Sequence, residues 1–359
     1  MNSTIKRNAP SVQAIILAAG QGSRLKTGIT KMITPICGQP MVLYPVQLLA
    51  SLQIPTTVVI GYQKDLVHAS IAQAKLNNVS FAEQKEQLGT GHALLAAQTF
   101  WTGDTLLVLN GDMPCIDRTT IEKLIAHHTQ HNAAITIATS YNTDPENTFG
   151  RIVHENGILK IVEKKHFTYS IEQFPYVNVG IYVINRSFVE RYAHHIQQNS
   201  STHEFYITDL VALAGEHNLL ATSIELPFET CYGVNTFQEL AIVEDIKRTQ
   251  LITYWMNQGV RFIAPHTVHI DHTVILTRGC VIYPGVQLLG NSRIEEFCTI
   301  MPHAVVQDSH IDINSLIGAH SVLSDTYIEK NATIAPLSYL SGHKPLANIK
   351  HATHTIINS

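Results

Sequence analysis

Residues Ile15–Lys31 read Ile-Ile-Leu-Ala-Ala-Gly-Gln-Gly-Ser-Arg-Leu-Lys-Thr-Gly-Ile-Thr-Lys. The apolar run Ala14 to Ala18 has the composition of a buried parallel strand. It breaks at Gly20-Gln21-Gly22, where two glycines let backbone N–H groups turn toward an anion without a Cβ in the way. Ser23 adds a hydroxyl, and Arg24 and Lys31 bring two cations to the same loop. Such a loop at the carboxyl end of a first strand is a phosphate cradle. The dinucleotide fingerprint would need a third glycine where Leu25 stands, and the Walker pattern is absent. A glycine-rich turn with two solvated cations is the competing reading.

Outward from this loop the chain alternates between strands and helices. Pro40 to Leu52 reads as a helix with Pro40 in its first turn. Thr57 to Ile60 reads as a strand, Asp65 to Ala74 as a helix and Val79 to Ala82 as a strand. A helix over Ala93 to Thr99, a strand over Thr105 to Leu109, a helix over Asp117 to His128 and a strand over Ala133 to Ala138 follow. This βαβα pattern predicts a doubly wound α/β sheet with its ligand site beyond the carboxyl ends of the strands. A strand-rich section follows: Arg151 to Val153, Ile158 to Glu163 and Tyr176 to Val183, with Asn156-Gly157 as a hairpin turn. Ser187 to Ile196 and Tyr206 to Ala214 read as helices. Thr236-Phe237-Gln238-Glu239 is a capping-box pattern opening a connector helix that stops near Gly259.

Beyond the connector the period changes. Large aliphatics recur every six residues at Ile270, Leu276, Ile282, Leu288, Ile294, Ile300 and Val306. After a five-residue step the series resumes at Ile311, Ile317 and Leu323, and after another at Ile328, Ile334 and Leu340. A six-residue repeat marks a parallel β-helix, each hexad forming one side of a triangular coil. A β-sandwich with chance spacing is the alternative. The expected division is 1–233 for the α/β domain, 234–260 for the linker helix, 261–340 for the β-helix and 341–359 for a tail.

Composition narrows the classes. The 359 residues carry 45% hydrophobic and 14% charged side chains, as in globular proteins. A net charge of −4 gives no support for nucleic-acid binding by bulk charge. Five dispersed cysteines, with no C-x-x-C, suit reduced thiols in a cytoplasm. The polar N-terminus lacks the apolar core of a signal peptide, and no run reaches the length of a membrane span. His266, His269 and His272 form a regular set, read as surface residues with metal binding as the minority option.

Leu17 to Arg24 with Lys31 resembles the signature of sugar-1-phosphate nucleotidyltransferases. Glu86-Gln87-Leu88-Gly89-Thr90-Gly91-His92-Ala93 resembles a segment of the bacterial N-acetylglucosamine-1-phosphate uridylyltransferase/glucosamine-1-phosphate acetyltransferase family. The resemblance runs to about Leu340. It implies a Rossmann-like nucleotidyltransferase domain followed by a short left-handed β-helix that assembles as a homotrimer. It further implies UTP and a sugar 1-phosphate as substrates and Mg²⁺ as cofactor. On it, Leu17, Ala18, Gly20 and Gly22 hold the nucleotide, and Gln84, Gly89 and Thr90 read the uracil edge. Arg24 and Lys31 neutralise the triphosphate. Asp112 and Asn235 ligate Mg²⁺, and Gly150, Glu163 and Asn178 hold the sugar.

Without the resemblance, Asp112 reads as an N-cap or turn residue, Glu163 and Asn178 as hairpin polars, and Thr90 as a helix cap. Three positions depart from the family. Asn110 stands where a larger residue is usual before Gly-Asp. Val179 replaces a threonine after Asn178, and Ile29-Thr30 replaces Leu-Pro before Lys31, which is expected to loosen the loop. The family's second activity, acetyl transfer, is expected to be missing, because the hexads stop near Leu340. His343, His351 and His354 in the tail match no catalytic-histidine motif. The alternatives are transfer to another base or sugar and a non-catalytic nucleotide-sugar-binding relative.

Overall fold

A computed structural model describes residues 11–26, 28–147, 149–155, 157–342 and 345–346. The chain forms two compact units. One comprises residues 1–34 and 40–239, the other residues 35–39 and 240–359.

The first unit is built on strand β1 (Val12–Ala18). Residues 35–39, which belong to the second unit, give β2 (Pro35–Ile36) and the first residue of β3 (Gln39–Pro40), a small hairpin. Helix α1 (Leu43–Ser51) then leads to β4 (Thr56–Ile60), α2 (Lys64–Gln73), β5 (Val79–Glu83) and α3 (Thr90–Ala96). Next come β6 (Thr105–Asn110), α4 (Arg118–His131), β7 (Ile135–Tyr141), β8 (Arg151–Glu155), β9 (Ile158–Val162) and β10 (Tyr176–Asn185). Helices α5 (Arg186–Tyr192) and α6 (Asp209–Glu216) and strand β11 (Ala221–Glu225) complete the sheet domain.

The main sheet runs β11-β7-β10-β6-β1-β4-β5, with the β8–β9 hairpin branching from β10. Alternate β1 residues feed opposite cores. Ile15 and Leu17 pack with Leu94, Val189 and Leu210 of α3, α5 and α6. Ile16 and Ala18 pack with Val46, Val67 and Ile121 of α1, α2 and α4. Burial on both faces explains the unbroken apolar run. The chain leaves β1 toward β4 and β5, then returns to β6 on the other side. The switch point between β1 and β6 therefore opens a crevice where Gly20 and Asn110-Gly111-Asp112 follow the strand ends.

Several expectations are corrected. Pro40 lies in β3 and the first helix starts at Leu43. The helix expected from Ala93 starts at Thr90, and that expected from Tyr206 starts at Asp209. Strand β10 runs antiparallel between β6 and β7, so the doubly wound sheet is mixed. Strand β11 was not anticipated; Ala-Thr-Ser-Ile-Glu carries a single large aliphatic and shows no alternation. The β8–β9 hairpin pairs Glu155 with Ile158 as expected, although Asn156 itself lies outside the described residues.

Helix α7 (Phe237–Asn257) opens on the anticipated capping box. Thr236 Oγ1 accepts from Glu239 N at 3.2 Å, and Glu239 Oε2 accepts from Thr236 N at 2.8 Å. Beyond it, three five-stranded parallel sheets wind a three-sided β-helix. All thirteen hexad aliphatics from Ile270 to Leu340 are buried. Ile270, Leu288, Val306, Leu323 and Leu340 stack on one side, and the other series stack likewise on theirs. Both five-residue steps fall at one corner. There Leu289-Gly290-Asn291-Ser292 of one coil becomes Gln307-Asp308-Ser309 and then Ser324-Asp325-Thr326 in the next two. Hydroxyls fill that corner: Ser309 N donates to Ser292 Oγ and Thr326 N to Ser309 Oγ. The five cysteines are free and buried. Burial pushes the Cys298 thiol up to about 12. The tail histidines His343, His351 and His354 lie outside the described residues.

Candidate active site

Four polar side chains from distant parts of the first unit converge beyond β1 and β6. Lys31 Nζ donates to Asp112 Oδ2, to Val234 O at 3.0 Å and to Asn235 Oδ1 at 2.8 Å. Arg24 donates to the same Asn235 Oδ1 at 2.9 Å. Lys31 and Asp112 are both buried, at 8% exposure. A buried ammonium is tolerable only because three oxygens surround it. The loop is held from behind as well. Gly22 sits at φ +64°, and a Cβ there would come within 2.9 Å of the Lys31 stem. Thr30 N donates to Gln63 Oε1 at 2.8 Å, and Thr30 Oγ1 caps the following turn. A proline at position 30 could not donate that bond, so the departure ties the loop rather than loosening it.

Two clefts meet at this cluster. The larger, about 500 Å³, is lined by Ala19, Gly20, Gly22, Lys31, Gln84, Gly89 and Thr90. The smaller, about 340 Å³, is lined by Phe149, Gly150, Glu163, Asn178, Tyr182, Tyr206 and Thr208, among others. Leu17, Arg24, Thr90, Asn110 and Asp112 belong to both. Asn235 faces the smaller cleft. Among the expected residues only Ala18 is turned away, its methyl buried in the core.

Local geometry explains each wall. Gly89 sits at φ +95° against the backbone oxygen of Phe205, where a Cβ would come within 2.6 Å. The side-chain amide of Gln84 donates to Gly89 O at 3.0 Å and lies 3.0 Å from His92 Nδ1. Thr90 does not cap α3: it is the first helical residue, and its hydroxyl accepts from Ile207 N at 3.1 Å. On the other side, β10 bulges between Asn178 and Tyr182 around Gly180 at φ +80°. Asn110 Nδ2 lies 2.8 Å from where a Gly180 Cβ would stand. Asn178 donates to Tyr182 Oη at 2.7 Å and accepts from Gly180 N at 3.1 Å. Burial, and then the charge of Glu163, hold the Tyr182 phenol in its neutral form.

The oxygens around Lys31 Nζ are carboxylate, amide and backbone carbonyl, the donor set that suits a hard divalent cation. No three His, Cys, Asp or Glu among the described residues could hold a metal by themselves. Phe149, Tyr182, Tyr206 and Thr208 escaped the sequence reading. Tyr206 and Thr208 were absorbed into a helix, although Thr208-Asp209 is an ordinary helix-start pattern.

The nucleotidyl transferase family model matches residues 13–259. The chain belongs to that family. Relatives named bifunctional protein GlmU place the transferase within it more closely. That of Syntrophotalea carbinolica is 36% identical over 309 residues, covering 84% of this chain and 65% of the relative. Those of Halalkalibacterium halodurans and Exiguobacterium sibiricum are each 33% identical, over 83% of this chain and 66% and 67% of theirs. The chain thus belongs to the GlmU-type branch and spans about two thirds of those relatives' length. A putative glucose-1-phosphate thymidylyltransferase from Bacillus anthracis shares the fold over part of this chain. It superposes with a TM-score of 0.52 at 23% identity, over 65% of this chain and 96% of its own.

Proposed function

We propose that this chain transfers a uridylyl group from UTP to N-acetylglucosamine 1-phosphate, giving UDP-N-acetylglucosamine and pyrophosphate with Mg²⁺. The observation that carries the reading is the junction of two clefts at Arg24, Lys31, Asp112 and Asn235. The larger cleft takes the nucleotide between the Gly20–Gly22 loop and Gln84, Gly89 and Thr90. The smaller takes the sugar between Gly150, Glu163 and Asn178.

In this reaction an oxygen of the sugar phosphate attacks the α-phosphorus. A new P–O bond forms, the α–β bridging bond breaks, and pyrophosphate leaves with the electron pair. The second pKa of a phosphate monoester is about 6, so the nucleophile is already ionised at neutral pH and needs no base. The work left to the protein is positioning and charge neutralisation. Arg24 and Lys31 serve the triphosphate and leaving group. Asp112 and Asn235 would hold Mg²⁺, with substrate phosphates completing its shell. When bound, the ion neutralises charge developing at the α-phosphate.

Acetyl transfer is not part of the activity proposed for these residues. The β-helix is proposed to assemble the chain as a homotrimer, to be checked by light scattering at micromolar concentration. No helix among the described residues is long and apolar enough to cross a membrane, and a cytoplasmic setting is proposed from the buried free thiols. The deciding experiment is pyrophosphate release with each nucleoside triphosphate against a panel of sugar 1-phosphates. UTP with N-acetylglucosamine 1-phosphate is expected to be turned over fastest. A different fastest pair would move the specificity, with Asn110 and Val179 the first positions to revisit. No release with any pair would end the reading.

A further inference from the structure

Arg151 is 2% exposed and is the largest of the fully buried side chains. Among the described residues no carboxylate lies within ion-pair distance of it. Its guanidinium instead donates to three backbone oxygens: Asn142 O at 2.7 Å, Phe174 O at 3.3 Å and Asp144 O at 3.4 Å. It also lies over the Phe167 ring, 5.7 Å from the centroid. A buried cation outside any close ion pair is costly, and burial lowers its proton affinity more than the charge of Asp144 raises it. Those bonds, in turn, satisfy carbonyls of two separate segments.

Each segment leads in sequence to residues that line the smaller cleft. Residues 142–147 lead to Phe149 and Gly150, which line it. Phe174 lies two residues before the start of β10, which carries Asn178. Asn178 N donates to Gly150 O at 2.8 Å, and Arg151 pairs with Val177 across the strands, so the arginine's own backbone lies between the two walls. A second cation grips the same loop from outside: Lys164 Nζ donates to Pro145 O and, at 2.9 Å, to Asn147 O. Within the loop, Asn142, Asp144 and Asn147 each accept from the backbone N–H two residues on. The loop is thus shaped by its own side chains and anchored by two cations.

We propose that Arg151 is a positioning residue for the sugar phosphate, fixing loop 142–147 and Phe174 so that Phe149 and Gly150 stand opposite Asn178. The inference rests on the assignment of the smaller cleft to the sugar. The planar guanidinium fork presents its N–H donors in fixed directions toward these carbonyls; a lysine ammonium is a compact point charge on a flexible stem and lacks that fixed geometry. The nucleotide cleft has no part in this network.

The test compares the full-length wild type with Arg151→Lys by steady-state kinetics and by hydrogen exchange. The KM for the sugar 1-phosphate is expected to rise about tenfold, as for loss of one or two charge-assisted bonds. The KM for UTP should stay within about twofold, because differences confined to one substrate isolate one cleft. Amides of 142–147 should exchange faster while those of β1 keep their protection. Both KM values rising together, or unchanged exchange in 142–147 at wild-type melting temperature, would overturn the proposal. If Arg151→Lys does not fold, Lys164→Met carries the test: the same split, in milder form, supports the proposal, and its absence refutes it. A wild type that releases no pyrophosphate with any sugar 1-phosphate would end the proposed function. The exchange measurement would then still decide whether Arg151 holds the loop.

Discussion

In the α/β unit, Arg24 and Asn235 share a hydrogen bond across 211 residues of sequence. In the β-helix, bonded neighbours such as Ser309 and Ser292 lie 17 residues apart, and Gly285 and Thr267 lie 18 apart. The first arrangement gathers unlike groups at one point; the second repeats like groups along an axis. A site needs several chemistries in one place, so it draws on strand ends far apart in the chain. A solenoid needs only that each coil match the next. One region therefore concentrates consequence at a few residues, and the other spreads it over many.

Three substitutions test that contrast. Asp112→Asn removes the carboxylate on which the cluster turns. Turnover is expected to fall by about a hundredfold or more, the scale of losing one preorganised electrostatic group, with the fold retained. Activity within a few-fold of wild type at limiting Mg²⁺ would break the contrast at its strongest point. Ile300→Ala, at a fully buried rung, is expected to cost about 2–5 kcal/mol of β-helix stability. Hydrogen exchange should show the loss concentrated on the rungs of Ile282 and Ile317 that pair with it; uniform loss along the whole β-helix would contradict nearest-neighbour coupling.

The smallest effect expected concerns Asp209. Burial, and then the charge of Glu163, push its carboxyl from 3.8 up to about 6. The folded chain therefore holds this proton more tightly than the unfolded chain. Its stabilising contribution is full below about pH 4 and is lost as pH rises toward about 6. Asp209→Asn should raise the melting temperature at pH 7 by a few degrees and leave it unchanged near pH 3.8. An equal rise at both pH values would mean that charge is not the cause.

How much of this was legible follows the same divide. The hexads announced the β-helix because each side turns one large aliphatic inward. Its polar interior was hidden: the hexad series does not single out Ser292, Ser309 and Thr326, which only the corner brings into a column. The glycine loop and Asp112 were legible because glycines and charges follow apolar strands. Tyr206 and Thr208 were not, since a helical period runs through them and outweighs the helix-start signal of Thr208-Asp209. Thr30 looked like a loosened proline site; its N–H finds Gln63, a partner 33 residues away that no local pattern announces.

The corner that absorbs both short steps has a further consequence. Coils with and without Asn291 place the same side chains inward, so phase in this solenoid is counted from corner to corner rather than by residue number. That corner is a point where chain length can vary by one while every rung keeps its neighbours. A family built on such coils can lengthen or shorten there and still stack, whereas a residue gained within a strand would turn its inward aliphatic out to water.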